Sequence, residues 1–261
     1  MDSERTVKKK AWGERESGID DFRYETAPGF SPRNLWRFFL VDLIAVMSLR
    51  LLYSRGLIPG IDAYVLLTLA GKIVLAGYLA WMIRDAADGW GALGVKTGGS
   101  PLGWLWGTIL YAIAYPGMHL AGRLNFWLLG GAFRFLGWGR FEPEPQEVAL
   151  ILLGGEARSA VCIALLAFAV LIGPVMEEAA FRGVGMDGFG RTGGAWSAAI
   201  WTSTLFGLYH FDPSRILPLA VMGFAMAGAG RLSRTLWCPV VLHIFHNSFT
   251  LWMMAKNTGK A

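Results

Sequence analysis

Residues 161–183, VCIALLAFAVLIGPVMEEAAFRG, decide how the chain reads. Sixteen residues without a charge lead into Glu177 and Glu178, and Arg182 follows one helical turn later. An apolar run of this kind is long enough to enter a bilayer, where a span needs about 20 mostly apolar residues. An ionisable group at the end of such a run costs about 3 kcal/mol on insertion scales. It therefore needs a partner or a task. On a helix Glu178 and Arg182 share a face and can pair. Glu177 points about 100° away from Glu178 and is left to face a cavity.

Outward from this stretch the same texture continues. Apolar segments that read as spans lie at 35–53, 62–83, 101–122, 159–181, 194–211, 214–230 and 235–255. Residues 124–138, short and glycine-containing, read as an additional interfacial or re-entrant piece. The expected fold is all-α, a polytopic membrane protein with about seven or eight transmembrane helices enclosing an intramembrane active-site cavity. Unbroken apolar runs without period-two alternation disfavour a β-barrel. Gly- and Ala-rich segments such as GFAMAGAG at 223–230 suit close helix packing in lipid. Pro59-Gly60, the polar loop 139–147 and Asp212-Pro213-Ser214 mark turns between spans. The organisation expected is a polar tail over 1–33, N-terminal membrane helices over 34–158 and a catalytic core over 159–256.

Composition agrees. Of 261 residues 54% are hydrophobic and only 16% charged, below the quarter or so usual for a soluble domain. The net charge of +5 is scattered through loops and forms no long patch, which excludes a nucleic-acid partner. The tail has no apolar stretch of leader type. The distribution of Lys and Arg favours a cytoplasmic N-terminus, in a bacterial inner membrane. Cys162 and Cys238 sit in apolar segments and read as small core residues. Asp42, Arg50 and Lys72 read as groups that snorkel or pair near span ends, and His119 as a packing histidine.

Two further polar groupings occur in the last spans. His210 ends WTSTLFGLYH, with Phe206 one turn before it. His243 and Asn247 lie four apart in VVLHIFHNSF and share a face, with His246 close enough in angle to border the same cavity. Together these residues supply what hydrolysis requires. A desolvated carboxylate acts as general base toward water. A histidine holds that water or relays its proton. A second imidazole and an amide stabilise an oxyanion. The HExxH and GxSxG signatures are absent from the chain. Intramembrane Glu and His also build proton relays in carriers, but no matching halves accompany them here.

The motifs EEAAFR (177–182), FGLYH (206–210) and HIFHN (243–247) resemble, in order and spacing, the EExxxR, FxxxH and HxxxN motifs of the CPBP intramembrane proteases. That family, also called Abi, includes the type II CAAX prenyl endopeptidases, or Ras-converting enzymes. The resemblance covers residues 159–250. It implies Glu177, His210, His243 and Asn247 as catalytic residues, with Glu178, Arg182, Phe206 and His246 in support. By this likeness Glu177 and His210 activate water, and His243 and Asn247 form the oxyanion pocket. No cofactor is required by the reading. If a divalent metal such as zinc takes part, Glu177, His210 and His243 are its ligands. The implied activity is cleavage near the C-terminus of a membrane-anchored protein in the lipid bilayer, either prenylated or carrying a sorting signal. The alternative is a non-catalytic membrane scaffold or bacteriocin-immunity protein that keeps the fold.

Overall fold

The computed structural model describes residues 30–85, 93, 99–142, 151–152 and 159–257. Most of the expected tail and residues 143–147 of the expected polar loop lie outside these. The described residues form an all-α protein with no strands. Its helices are α1 (Pro32–Ser54), α2 (Gly60–Asp85), α3 (Pro101–Phe135), α4 (Ser159–Ala167), α5 (Gly173–Glu178), α6 (Met186–Tyr209), α7 (Ile216–Ser233) and α8 (Trp237–Asn257). Wide turns of π-helix, Phe168–Ile172 and Ala179–Gly185, join α4 to α5 and α5 to α6. The first helices start where sequence says they should. Proline stands at the head of α1 and α3, and Ser31 and Ser100 precede them. Ser100 Oγ accepts from the Gly103 amide at 3.1 Å.

Three helical stretches are long and apolar enough to cross a membrane by length and composition: Gly60–Asp85, Ser159–Tyr209 and Pro213–Ser233. The second is not a straight rod. Gly194 has φ 76° and ψ 173°, a conformation open essentially to glycine alone. The chain doubles back there. Phe206 returns to within 5.4 Å of Phe181, ring to ring, and a Cβ on Gly185 would touch Thr202. Large apolar side chains such as Ile44, Ile73, Val74, Ile113 and Leu120 point outward, each at least 65% exposed. A water-soluble surface does not carry that much apolar area, and this is an integral membrane protein.

Two expectations change. Residues 101–122 and 124–138 are not separate pieces: α3 runs unbroken through Pro116 from Pro101 to Phe135. At about 1.5 Å per residue it is about 50 Å long, well beyond the hydrocarbon core. Its N-terminal half lies hard against α7. A Cβ on Gly103 would stand 2.1 Å from the Leu232 carbonyl oxygen, so only glycine permits the approach. Asp42 and Lys72 are not near span ends. They sit in the middle of α1 and α2 and form an ion pair between the two helices. At the other edge of the expected tail, Phe30 is buried and its amide donates to Asp187 Oδ2 at 2.9 Å.

Candidate active site

The π turns place the two carboxylates. Pro174 has no N–H to give the carbonyl four residues back, and the turn before it widens. The Gly173 amide reaches Phe168 O, five residues back. A second wide turn begins directly after Glu178. Single wide turns inside helices are frequent at functional sites. Here they leave Glu177 and Glu178, neighbours in the chain, in opposite surroundings.

Glu178 is fully buried. Its Oε1 accepts from His243 Nδ1 at 2.8 Å, and Oε2 is 3.1 Å from Arg182 Nε. Arg182 Nη2 donates to the Gly223 carbonyl of α7 at 2.9 Å. The guanidinium lies 4.6 Å from the centre of the Phe206 ring. Phe206, with no exposed surface, also meets His210 edge to face at 4.9 Å and His243 at 5.6 Å. The phenylalanine thus separates and orients the arginine and both imidazoles. Four helical segments are tied together by one buried carboxylate, one guanidinium and one ring.

Glu177 faces the other way, with 16% of its side chain exposed. It lines a cavity of about 1080 Å³, together with His210 and Asn247. His210 Nδ1 lies 2.9 Å from the Phe206 carbonyl oxygen, so that nitrogen donates and Nε2 is the one left for other partners. Asn247 Nδ2 donates to the Ala169 carbonyl of the first π turn at 2.8 Å, which spends one of its two N–H bonds. His243 is 2% exposed and is not part of the cavity wall. Its Nε2 stands behind Glu177, 3.8 Å from Oε2. His246 lies off the cavity as well: its Nδ1 and the Tyr111 hydroxyl are 2.7 Å apart, joining α8 to α3. His119 packs edge to face on Tyr115, with ring centres 5.0 Å apart.

Two groups near the site were not linked to it by the sequence reading. Asn125 of α3 holds the turn after His210: Nδ2 donates to Pro213 O at 2.8 Å and Oδ1 accepts from Leu217 N at 3.3 Å. A lone asparagine in an apolar run was the available signal. Lys72, paired with Asp42, lines the same cavity as Glu177 and His210. Among the described residues no three His, Cys, Asp or Glu side chains converge as metal ligands. For Glu177, His210 and His243 to hold zinc, His243 would offer Nε2, and its Nδ1 contact with Glu178 is the outer-shell bond that a metal-ligating histidine keeps.

Comparison with known proteins bears on the same part of the chain. Residues 159–249 match the family model described as "Type II CAAX prenyl endopeptidase Rce1-like". A protein of Bacillus subtilis (strain 168), described as "Putative membrane peptidase YdiL", is 24% identical over 152 residues. The alignment takes in 58% of this chain and 57% of that protein, so just over half the relative's length is matched. No solved structure matches.

Proposed function

We propose that this chain, whose residues 159–249 belong to the CPBP family of type II CAAX prenyl endopeptidase-like proteins, hydrolyses a peptide bond near the C-terminus of a membrane-anchored protein. The observation that carries the reading is a single cavity among apolar helices walled by Glu177, His210 and Asn247. These groups come from α5, the end of α6 and α8, and they answer to the three steps of water-mediated hydrolysis.

Glu177 takes a proton from water as the oxygen attacks the scissile carbonyl carbon. Nε2 of His210 accepts from the same water and aligns it. The carbonyl oxygen becomes an oxyanion, to which Asn247 can offer its second amide N–H. The tetrahedral intermediate collapses, Glu177 returns its proton to the leaving amine, and the C–N bond breaks. His243 stands behind the acid and not in the cavity, and its place suits the holding of Glu177 between Glu178 and the substrate.

The test is to compare membrane-protein C-termini by mass spectrometry in cells carrying wild type or Glu177→Gln. Loss of a general base costs about 10² to 10⁴ in rate, so a cleaved terminus present in wild type should vanish. Identical termini in both, with biological activity retained by the variant, would turn the reading toward a scaffold.

A further inference from the structure

Asp42 and Lys72 raise a question that helix cohesion does not answer. They stand mid-helix in α1 and α2, where a charge needs a partner, and they pair with each other. Yet replacing a buried ion pair by packed apolar residues is often neutral or stabilising. Holding α1 to α2 is a task two leucines could perform.

The pair has a third member. Lys72 Nζ also donates to the Tyr209 hydroxyl at 3.1 Å. Tyr209 is 5% exposed and is the last residue of α6; His210 is the next. Its ring is packed by Phe38 at 6.0 Å and Phe181 at 5.4 Å, and it stands perpendicular to the His210 imidazole. On the far side of His210 the backbone is fixed as well. Phe211 has φ 52°, and Asn125 clamps the turn that follows.

We propose that Lys72, held by Asp42, is a positioning residue for His210: it pins the Tyr209 hydroxyl and so sets where the neighbouring imidazole stands in the cavity. The inference rests on the protease reading and adds to it. The first two helices, which lie outside the matched segment 159–249, complete the site.

The test uses the full chain in nanodiscs and a synthetic peptide spanning the terminus that distinguishes wild-type from Glu177→Gln membranes. Tyr209→Phe keeps the packed ring and removes the hydroxyl. The double variant Asp42→Leu/Lys72→Met replaces the ion pair by apolar bulk. Both should melt at or above the wild-type temperature. Both should lose about tenfold or more in kcat, since displacing a reacting group by ~1 Å costs up to about 10². For Tyr209→Phe KM should stay within about twofold, because Tyr209 does not line the cavity. A second readout needs no cleavage. With Cys162 and Cys238 replaced by alanine, His210→Cys should be alkylated by a small maleimide several-fold faster once Lys72 is methionine. Wild-type kcat and unchanged alkylation in stable variants, beside an inactive Glu177→Gln, overturn the positioning role alone. Cleavage of the peptide by Glu177→Gln overturns the role given to Glu177 and leaves the alkylation result to decide whether Lys72 positions residue 210.

Discussion

A buried charge with one strong partner is a weak point whichever partner is removed. Arg182 is 4% exposed and faces a carboxylate with no exposed surface. Arg182→Met would leave the buried Glu178 carboxyl without its guanidinium, with His243 as its remaining partner, and breaking a buried pair in this way costs about 3–5 kcal/mol. The variant should melt markedly lower in detergent or fail to accumulate. Arg182→Lys should recover only part of the loss. A lysine has no second arm to reach the Gly223 carbonyl while holding Glu178, and no flat cation to lie over Phe206. Equal stability of the lysine variant and wild type would refute this account. Asn247 tests the chemistry. Asn247→Ala should lower kcat by about 10² or more, the usual cost of a missing oxyanion donor, with less change in KM. A lowered KM-dependent rate with kcat intact would instead make Asn247 a binding residue.

At the scale of elements, glycines in one helix divide into those that carry a contact and those that do not. Gly103 of α3 lies against the α7 backbone, whereas Gly131 of the same helix has nothing near. Gly103→Ala must push α3 away from Leu232 and Ser233, a strain of about 1–3 kcal/mol. Gly131→Ala meets no neighbour and should gain up to about 1 kcal/mol from helix propensity. Thermal denaturation of the two variants in one detergent gives opposite signs if the packing is as described. Glycine enrichment announced close helix packing, but which glycine does the work depends on how α3 crosses α7, and sequence is silent on crossing geometry. The same limit hid the length of α3. The 124–138 segment read as a separate piece, yet α3 continues through it, and Pro116, inside the expected span 101–122, stays within the helix as neighbouring helices allow.

For the whole molecule, polar residues in apolar runs made the catalytic candidates legible, because a charge in a span demands an explanation at its own position. EEAAFR, FGLYH and HIFHN do bring Glu177, His210, His243 and Asn247 into one neighbourhood. What sequence could not supply was partnership across elements. Asp42 and Lys72 are 30 residues apart, and Lys72 and Tyr209 are 137 apart. Asp42 and Lys72 read as groups that snorkel or pair near span ends, with no partner named, and Tyr209 has no role in that reading. The different surroundings of Glu177 and Glu178 were legible from helical angle alone, since both stand in the short regular helix α5 between the two wide turns. Metal dependence is testable at this scale too. On the proposed side-chain mechanism, the full chain should retain cleavage after exhaustive treatment with a zinc chelator. Activity lost to chelation and restored by zinc alone would replace the mechanism with a metal-assisted one.

The reversal at Gly194 has a consequence for biogenesis. Gly194 makes a tight non-helical break between two helical limbs that pack on each other through Phe181 and Phe206, so each limb is covered only when both are in the bilayer. During synthesis Glu177, Glu178 and Arg182 emerge before the limb that bears Phe206 and His210, and until then they lack half their shielding. Insertion of this hairpin as one body spares the nascent chain from parting with three polar groups in bare lipid. A non-glycine residue at 194 should therefore act first on yield in the membrane and only afterwards on catalysis, which pulse-labelling of the nascent protein can separate.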